Sequence, residues 1–266
     1  MFILDPMSNT TEPHICENCS NQFNDAFCNH CGQKRAHRIT MPHIFHEVAH
    51  AFTHADKGFL HLLLRLFVKP GIVAREYVLE KKRKRYFNPF QYILIIGSIA
   101  AFVAINSHFA ETTMEVMGPG GTPSKRILDF QHGISKIMTK YYNFVVLLQL
   151  PFFALGSFLM FRKYKFNYAE HLTLHTFITA QATLLGMGTM LLIGWSGKPG
   201  VYFGFVVGLL SMAYQVFAFT QFFQDGSLKG VLKGIAANIL GYLLFMAFVL
   251  VILIIVSIVV IKFGWA

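Results

Sequence analysis

The sequence is short of charge. Asp, Glu, Lys and Arg make up only 14% of its 266 residues, and just 13 of them are acidic, against about 25% charged residues in soluble domains. Beside an apolar content of 54%, that deficit excludes an ordinary soluble enzyme and points to an integral membrane protein. Cysteine is confined as well: all four lie between Cys16 and Cys31, in CxxC pairs. No disulfide framework can staple the rest, and the spacing suits metal ligands in a reducing compartment. A cleavable leader is not expected, since Met1-Phe2-Ile3-Leu4 has no basic n-region and no adequate apolar core. No nucleotide-binding glycine loop, nucleophile elbow or Ser-His-Asp set stands out, and no charged pair lies mid-span.

The net charge of +10 does not call for nucleic acid. Twelve of the 23 Lys and Arg residues precede Asn88, and most of the others sit in short loops between apolar runs, as positive-inside topology requires. Five cations are adjacent, Lys81, Lys82, Arg83, Lys84 and Arg85, just ahead of the first apolar helix. They cannot enter a bilayer core, so they mark the cytoplasmic side and are candidate ligands for anionic phospholipid headgroups.

Five membrane spans are expected, near 90–109, 143–161, 174–194, 201–223 and 235–261. Arg162, Lys163 and Lys165 mark the second loop as cytoplasmic, and Lys229 and Lys233 mark the fourth. The loop 110–142 carries four cations against three anions around a Gly/Pro-rich centre, as suits an external loop. All the loops then agree on a cytoplasmic N-terminus and an external C-terminus.

Residues 1–14 read as a disordered lead. Residues 15–35 hold Cys16-x2-Cys19 and Cys28-x2-Cys31-Gly32, two tight knuckles able to give one Zn2+ a closed tetrahedral thiolate shell. So small a ribbon has almost no core beyond Phe23 and Phe27, and the metal supplies its folding energy. A closed four-thiolate site is structural, so the ribbon reads as a docking module for a protein partner, with His14 and His30 redundant as ligands.

Residues 41–88 form the next unit. His43, His46, Glu47, His50 and His54 recur at helical spacing, and His46-Glu47-Val48-Ala49-His50 formally matches HExxH, which in zinc hydrolases pairs two imidazoles with a catalytic Glu. The segment is rich in His and lies outside the spans, so the match reads as incidental and the protein as a non-enzyme. The apolar run 59–68 is too short to span. Broken by Pro70-Gly71, it reads as the first arm of an amphipathic hairpin lying in the cytoplasmic interface, with packing on the loop ends of the bundle as the alternative.

In the membrane unit, 89–266, the third span is unusually polar. Glu170, His171 and His175 stand at its entrance, and Thr176, Thr179, Gln181, Thr183 and Thr189 follow. His171 and His175, four apart, can share a ligand, which makes the three a candidate intramembrane polar site; interfacial anchoring is the alternative. Gly204-x3-Gly208 offers close helix packing, and Gln215, Gln221 and Asn238 suit interhelical ties or a polar path.

The order Cys-x2-Cys, Phe27-Cys28-x2-Cys31-Gly32-Gln33-Lys34, Pro70-Gly71, Arg75-Glu76-Tyr77, Lys82-Arg83 and Tyr86-Phe87-x-Pro89 resembles a bacterial membrane-protein family catalogued as domain of unknown function 3667. The resemblance covers about 16–90. Members usually carry Gly where Lys81 stands. It implies a zinc ribbon on a helical membrane domain and no established activity.

The reading is therefore an all-α polytopic protein of the bacterial cytoplasmic membrane. It has about five spans, a structural Zn2+ ribbon and cytoplasmic amphipathic helices, and it acts as a docking scaffold. The alternatives are a small transporter or channel using the third span and, behind it, a zinc hydrolase using His46, Glu47 and His50.

Overall fold

The computed structural model describes residues 14–35, 38–42, 44, 59–107, 140–196 and 198–262, with isolated positions at 113, 133, 136 and 137. The lead before residue 14 and the HExxH-like residues His46, Glu47 and His50, with His43 and His54, lie outside the described residues.

A two-stranded ribbon opens the chain, β1 (His14–Ile15) antiparallel to β2 (Gln22–Phe23). Two short helices follow, α1 (Phe59–Val68) and α2 (Pro70–Val78), then a 3-10 turn at Arg83–Arg85. Five long helices complete the fold: α3 (Pro89–Asn106), α4 (Tyr142–Met160), α5 (Tyr168–Ser196), α6 (Lys198–Phe223) and α7 (Leu228–Lys262). Each contains a stretch long and apolar enough to cross a membrane, so the chain is an all-α polytopic membrane protein.

The helix starts are written locally. Asn88 caps α3, its Oδ1 accepting from Phe90 N at 2.9 Å and Gln91 N at 3.3 Å, with Pro89 in the first turn. Asn167 and Glu170 form a reciprocal capping box on α5: Glu170 N donates to Asn167 Oδ1 at 2.9 Å, and Asn167 N donates to Glu170 Oε2 at 2.8 Å. That cap starts α5 six residues before the expected Leu174, because a capped polar turn extends a helix without adding to its apolar run. For the same reason α7 starts at Leu228 rather than Ile235: Ser227 Oγ accepts from Gly230 N at 3.1 Å.

α5 is the hub, packing against α1, α2, α3, α4 and α6. Half of its spanning window is buried, equal to the first span and above the 6% of the last, so it shares its enclosure with α3. α7 packs on α4 and α6 and leaves its aliphatic outer face exposed.

Of the two placements open to the hairpin, α2 takes the packed one rather than the favoured interfacial one. A Cβ at Gly71 would run into the carbonyl of Ala218 and into Gln221 and Phe222, so only glycine lets α2 meet α6 this closely. Gly71 N donates to Gln221 Oε1 at 3.0 Å and Arg75 Nη1 to Phe222 O at 2.8 Å, holding the docked helix. α1 buries Leu62 and Leu66 and leaves Leu60, Leu64, Phe67 and Val68 exposed.

Of the expected packing pair, Gly204 meets α5, where a Cβ would lie 3.1 Å from Ile193, while Gly208 faces open space. Backbones also approach closely between α4 and α7. A Cβ on Gly156 would lie 2.5 Å from Ala237 O, and one on Gly241 2.8 Å from Phe153 Cα. These glycines are not spaced as a motif within one helix, so no pattern along the chain reveals the seam.

Candidate metal centre and buried histidine pair

The Sγ atoms of Cys16, Cys19, Cys28 and Cys31 all lie within 4.8 Å of one another. Cys16 to Cys31 and Cys19 to Cys28 are each 3.6 Å apart, and none is in a disulfide. Four thiolates about 2.3 Å from a tetrahedral ion would stand about 3.8 Å apart, so the donor set fits such an ion. Gly32, at φ 70, turns the second knuckle in the left-handed region that glycine tolerates. Burial opposes ionisation of Cys28 and Cys31. Backbone donors outweigh it, from Cys31 and His30 to Cys28 and from Gln33 to Cys31, and with the neighbouring thiols they lower both groups, Cys28 to about 6. The ribbon's core is smaller than expected: Phe23 is buried, but Phe27 is 57% exposed.

The ribbon is not free on a linker. Gln33 is buried, donating through Nε2 to Lys81 O at 2.9 Å and accepting at Oε1 from Lys84 N at 3.1 Å. One side-chain amide thereby holds both ends of the turn that carries the basic run, where Lys81 takes a left-handed φ of 54. Lys81 Nζ also lies 3.4 Å from Glu17 of the ribbon.

The five cations of the run therefore meet protein as well as solvent. Lys82 pairs with Glu80 at 2.6 Å and Arg85 with Glu76 at 3.5 Å. Arg83 lies over the Tyr77 ring at 5.9 Å. Lys84 and Arg85 have the most exposed side chains of the five.

A second tie reaches α5. Arg38 forks onto Glu170, with Nε to Oε1 at 2.7 Å and Nη2 to Oε2 at 2.9 Å. Asn167 Nδ2 donates to Ile39 O at 2.9 Å. The strand of chain after the ribbon thus closes over the capped end of α5. The hydrogen bond and charge of Glu170 hold the Arg38 guanidinium proton above its ordinary affinity.

Glu170, His171 and His175 do not form one site. The carboxylate of Glu170 is engaged by the cap and Arg38, while His171 and His175 are fully enclosed and share a partner on α4. His171 Nδ1 and His175 Nε2 each stand 2.9 Å from Ser157 Oγ, and Ser157 Oγ is 3.1 Å from Ala154 O. Phe158, Phe166 and Phe223 surround the His171 ring, and Phe153 and Phe219 flank His175. The outer nitrogens, His171 Nε2 and His175 Nδ1, are buried without a hydrogen-bond partner. The rings are enclosed by protein, and neither is exposed at the surface.

Beyond His175 a cavity of about 240 Å3 opens between α4, α5 and α6. Its lining includes Gln149, Phe153, Thr179, Thr183, Ser211 and Gln215. Of the amides marked in the sequence, Gln215 lines this cavity, Gln221 ties α2 to α6, and Asn238 is buried on α7.

Gln33, Arg38 and Ser157 are site residues that the sequence alone does not reveal. Asn167-x-x-Glu170 has the spacing of a capping box, a signal that could have revealed the role of Glu170. Nothing local distinguishes Ser157, whose partners lie 14 and 18 residues away.

Fold and site together define a polytopic helical membrane protein with a four-cysteine ribbon clamped to one end of its bundle. Residues 56–101 match the family described as Protein of unknown function (DUF3667), which supports membership of that family, as the motifs led one to expect. The match covers the hairpin, the basic turn and most of α3. No curated protein and no solved structure matches the chain.

Proposed function

We propose that this protein is a docking scaffold of the bacterial cytoplasmic membrane, in which a structural Zn2+ ribbon presents a binding face at the cytoplasmic end of the bundle. The observation that carries this reading is the Gln33 clamp. A ribbon held at 2.9 and 3.1 Å to the turn before α3 transmits the position of whatever it binds to the membrane helices. Ile15 and Phe27, both 57% exposed, are the apolar contacts offered to a protein partner. Four thiolates fill a tetrahedral zinc and leave no open position for a substrate, so the ribbon binds rather than catalyses. Lys84 and Arg85 add anionic phospholipid contacts of about 1 kcal/mol each.

The test uses the full chain. Purified protein carries one zinc per chain by elemental analysis, and the Cys16→Ala, Cys19→Ala double variant carries none while the bundle keeps its helical signal. A photocrosslinker at position 27 captures a protein in cells, and Ile15→Ser abolishes the capture without loss of zinc. Wild-type protein without zinc, or capture unchanged by Ile15→Ser, overturns the reading.

A further inference from the structure

We infer that His171, Ser157 and His175 form a proton relay inside the bundle, carrying protons between the ribbon end of α5 and the polar cavity between α4, α5 and α6. This is independent of the docking reading and uses no part of the ribbon.

The argument begins with hydrogen counting. A serine hydroxyl has one proton to donate and two lone pairs to accept with. Three groups meet Ser157 Oγ: both imidazoles at 2.9 Å and Ala154 O at 3.1 Å. Ser157 can donate to Ala154 O while both rings donate to it. It can donate to His175 while His171 donates to it, or the reverse. These arrangements share one set of heavy-atom positions and differ only in where protons sit. The last two are the two polarities of an imidazole–hydroxyl–imidazole wire.

The orphaned nitrogens point the same way. His171 Nε2 and His175 Nδ1 are the outer ends of that wire, and neither has a partner. Leaving a buried polar atom unsatisfied is costly, and each ring carries one such atom while its other nitrogen is bound. A site built only to tie α4 to α5 needs one serine and one histidine. Two histidines in series, each with a bare outer nitrogen, suit an entry and an exit.

The surroundings insulate the wire. Five phenylalanines enclose the rings, and neither ring touches a carboxylate, lysine or arginine among the described residues. From α4 the rings face Ser157 and phenylalanines, and from α6 Phe219 and Phe223. Glu170, next in sequence to His171, is turned to Arg38. Asp225, Tyr164 and Lys233 lie beyond Phe223. At the exit, Phe153 packs on the His175 ring at 6.2 Å and also lines the cavity, and Thr179 lines it one turn further along α5. At about 30 Å3 per molecule, a cavity of that size takes several waters.

The transfer balances. A proton delivered by water from the ribbon end of α5, past the Phe158, Phe166 and Phe223 rings, binds His171 Nε2. The proton on His171 Nδ1 passes to Ser157 Oγ as the hydroxyl's own proton passes to His175 Nε2, and His175 Nδ1 releases its proton to water in the cavity. One proton enters and one leaves. Reorientation of the two rings, each keeping its proton, with rotation of the hydroxyl then resets the wire without returning a proton.

The full chain, reconstituted in phosphatidylethanolamine–phosphatidylglycerol vesicles holding a pH-sensitive dye, is driven by a potassium diffusion potential. Wild-type protein acidifies the lumen faster than protein-free vesicles, and Ser157→Ala or His175→Phe slows it at least ~10-fold. A wild-type rate equal to that of protein-free vesicles, or flux retained in both variants, overturns the relay. A second measurement needs no variant. Nitrogen-15 spectra of histidine-labelled wild-type protein show both tautomers of His171 and His175 exchanging across about pH 5–8. One fixed tautomer for each ring throughout that range overturns the relay as well.

Discussion

Asp225 accepts from the Ser227 hydroxyl at 2.5 Å, from the Tyr164 hydroxyl at 2.6 Å and from Ser227 N at 3.2 Å, at the turn joining α6 to α7. The bond from the Ser227 hydroxyl first, and that from Tyr164 next, hold its carboxyl below the usual range, while the Tyr164 bond pushes the Tyr164 phenol up. A carboxylate lowered on folding adds stability above its unfolded value, and that stability is lost as pH falls through the folded value. A phenol raised on folding adds stability below about pH 10 and loses it as pH rises through its folded value. Asp225→Asn is therefore expected to lower the thermal midpoint at about pH 7, by a gap that closes as pH falls below the ordinary carboxylate range and through the folded value of Asp225. A gap independent of pH, measured by thermal unfolding in detergent, contradicts this. The four-cysteine set was legible at this scale because each knuckle is local in sequence. Ser157 was not, because what makes it matter is the α4–α5 crossing and not its neighbours in the chain.

Between elements, contact is governed by backbones that come close where a side chain is missing. α4 and α7 meet at Gly156 and Gly241, and α2 meets α6 at Gly71. Gly241→Leu places a branched side chain where Phe153 Cα stands 2.8 Å from the first carbon. It is expected to cost about 1–3 kcal/mol or more, seen as a lower thermal midpoint. Gly208→Leu, facing open space, leaves the midpoint unchanged. The helices themselves were readable from apolar length, although their ends moved wherever a cap extended a polar turn. The family motif gains a physical reading here. Gly71 and Arg75, within the matched residues 56–101, tie α2 to α6, and Gln33, outside that match, ties the ribbon to the basic turn.

For the whole molecule, we propose that loop charge sets the orientation, with Lys84, Arg85, Arg162, Lys163 and Lys165 on the cytoplasmic side. A cysteine added after Ala266 is expected to react with an impermeant maleimide in intact cells, and one at Ser227 only after lysis. The opposite pattern overturns the assigned orientation. The two ties of the ribbon region also differ in sequence distance, and that has a consequence for biosynthesis. Gln33 bonds partners 48 and 51 residues ahead, whereas Arg38 bonds a carboxylate 132 residues ahead. During synthesis from the N-terminus the first partners emerge before any membrane helix. The second exists only after α3 and α4 have been made and α5 has begun. The ribbon seats on its turn early, and Arg38 latches later, once the bundle it closes has begun to assemble.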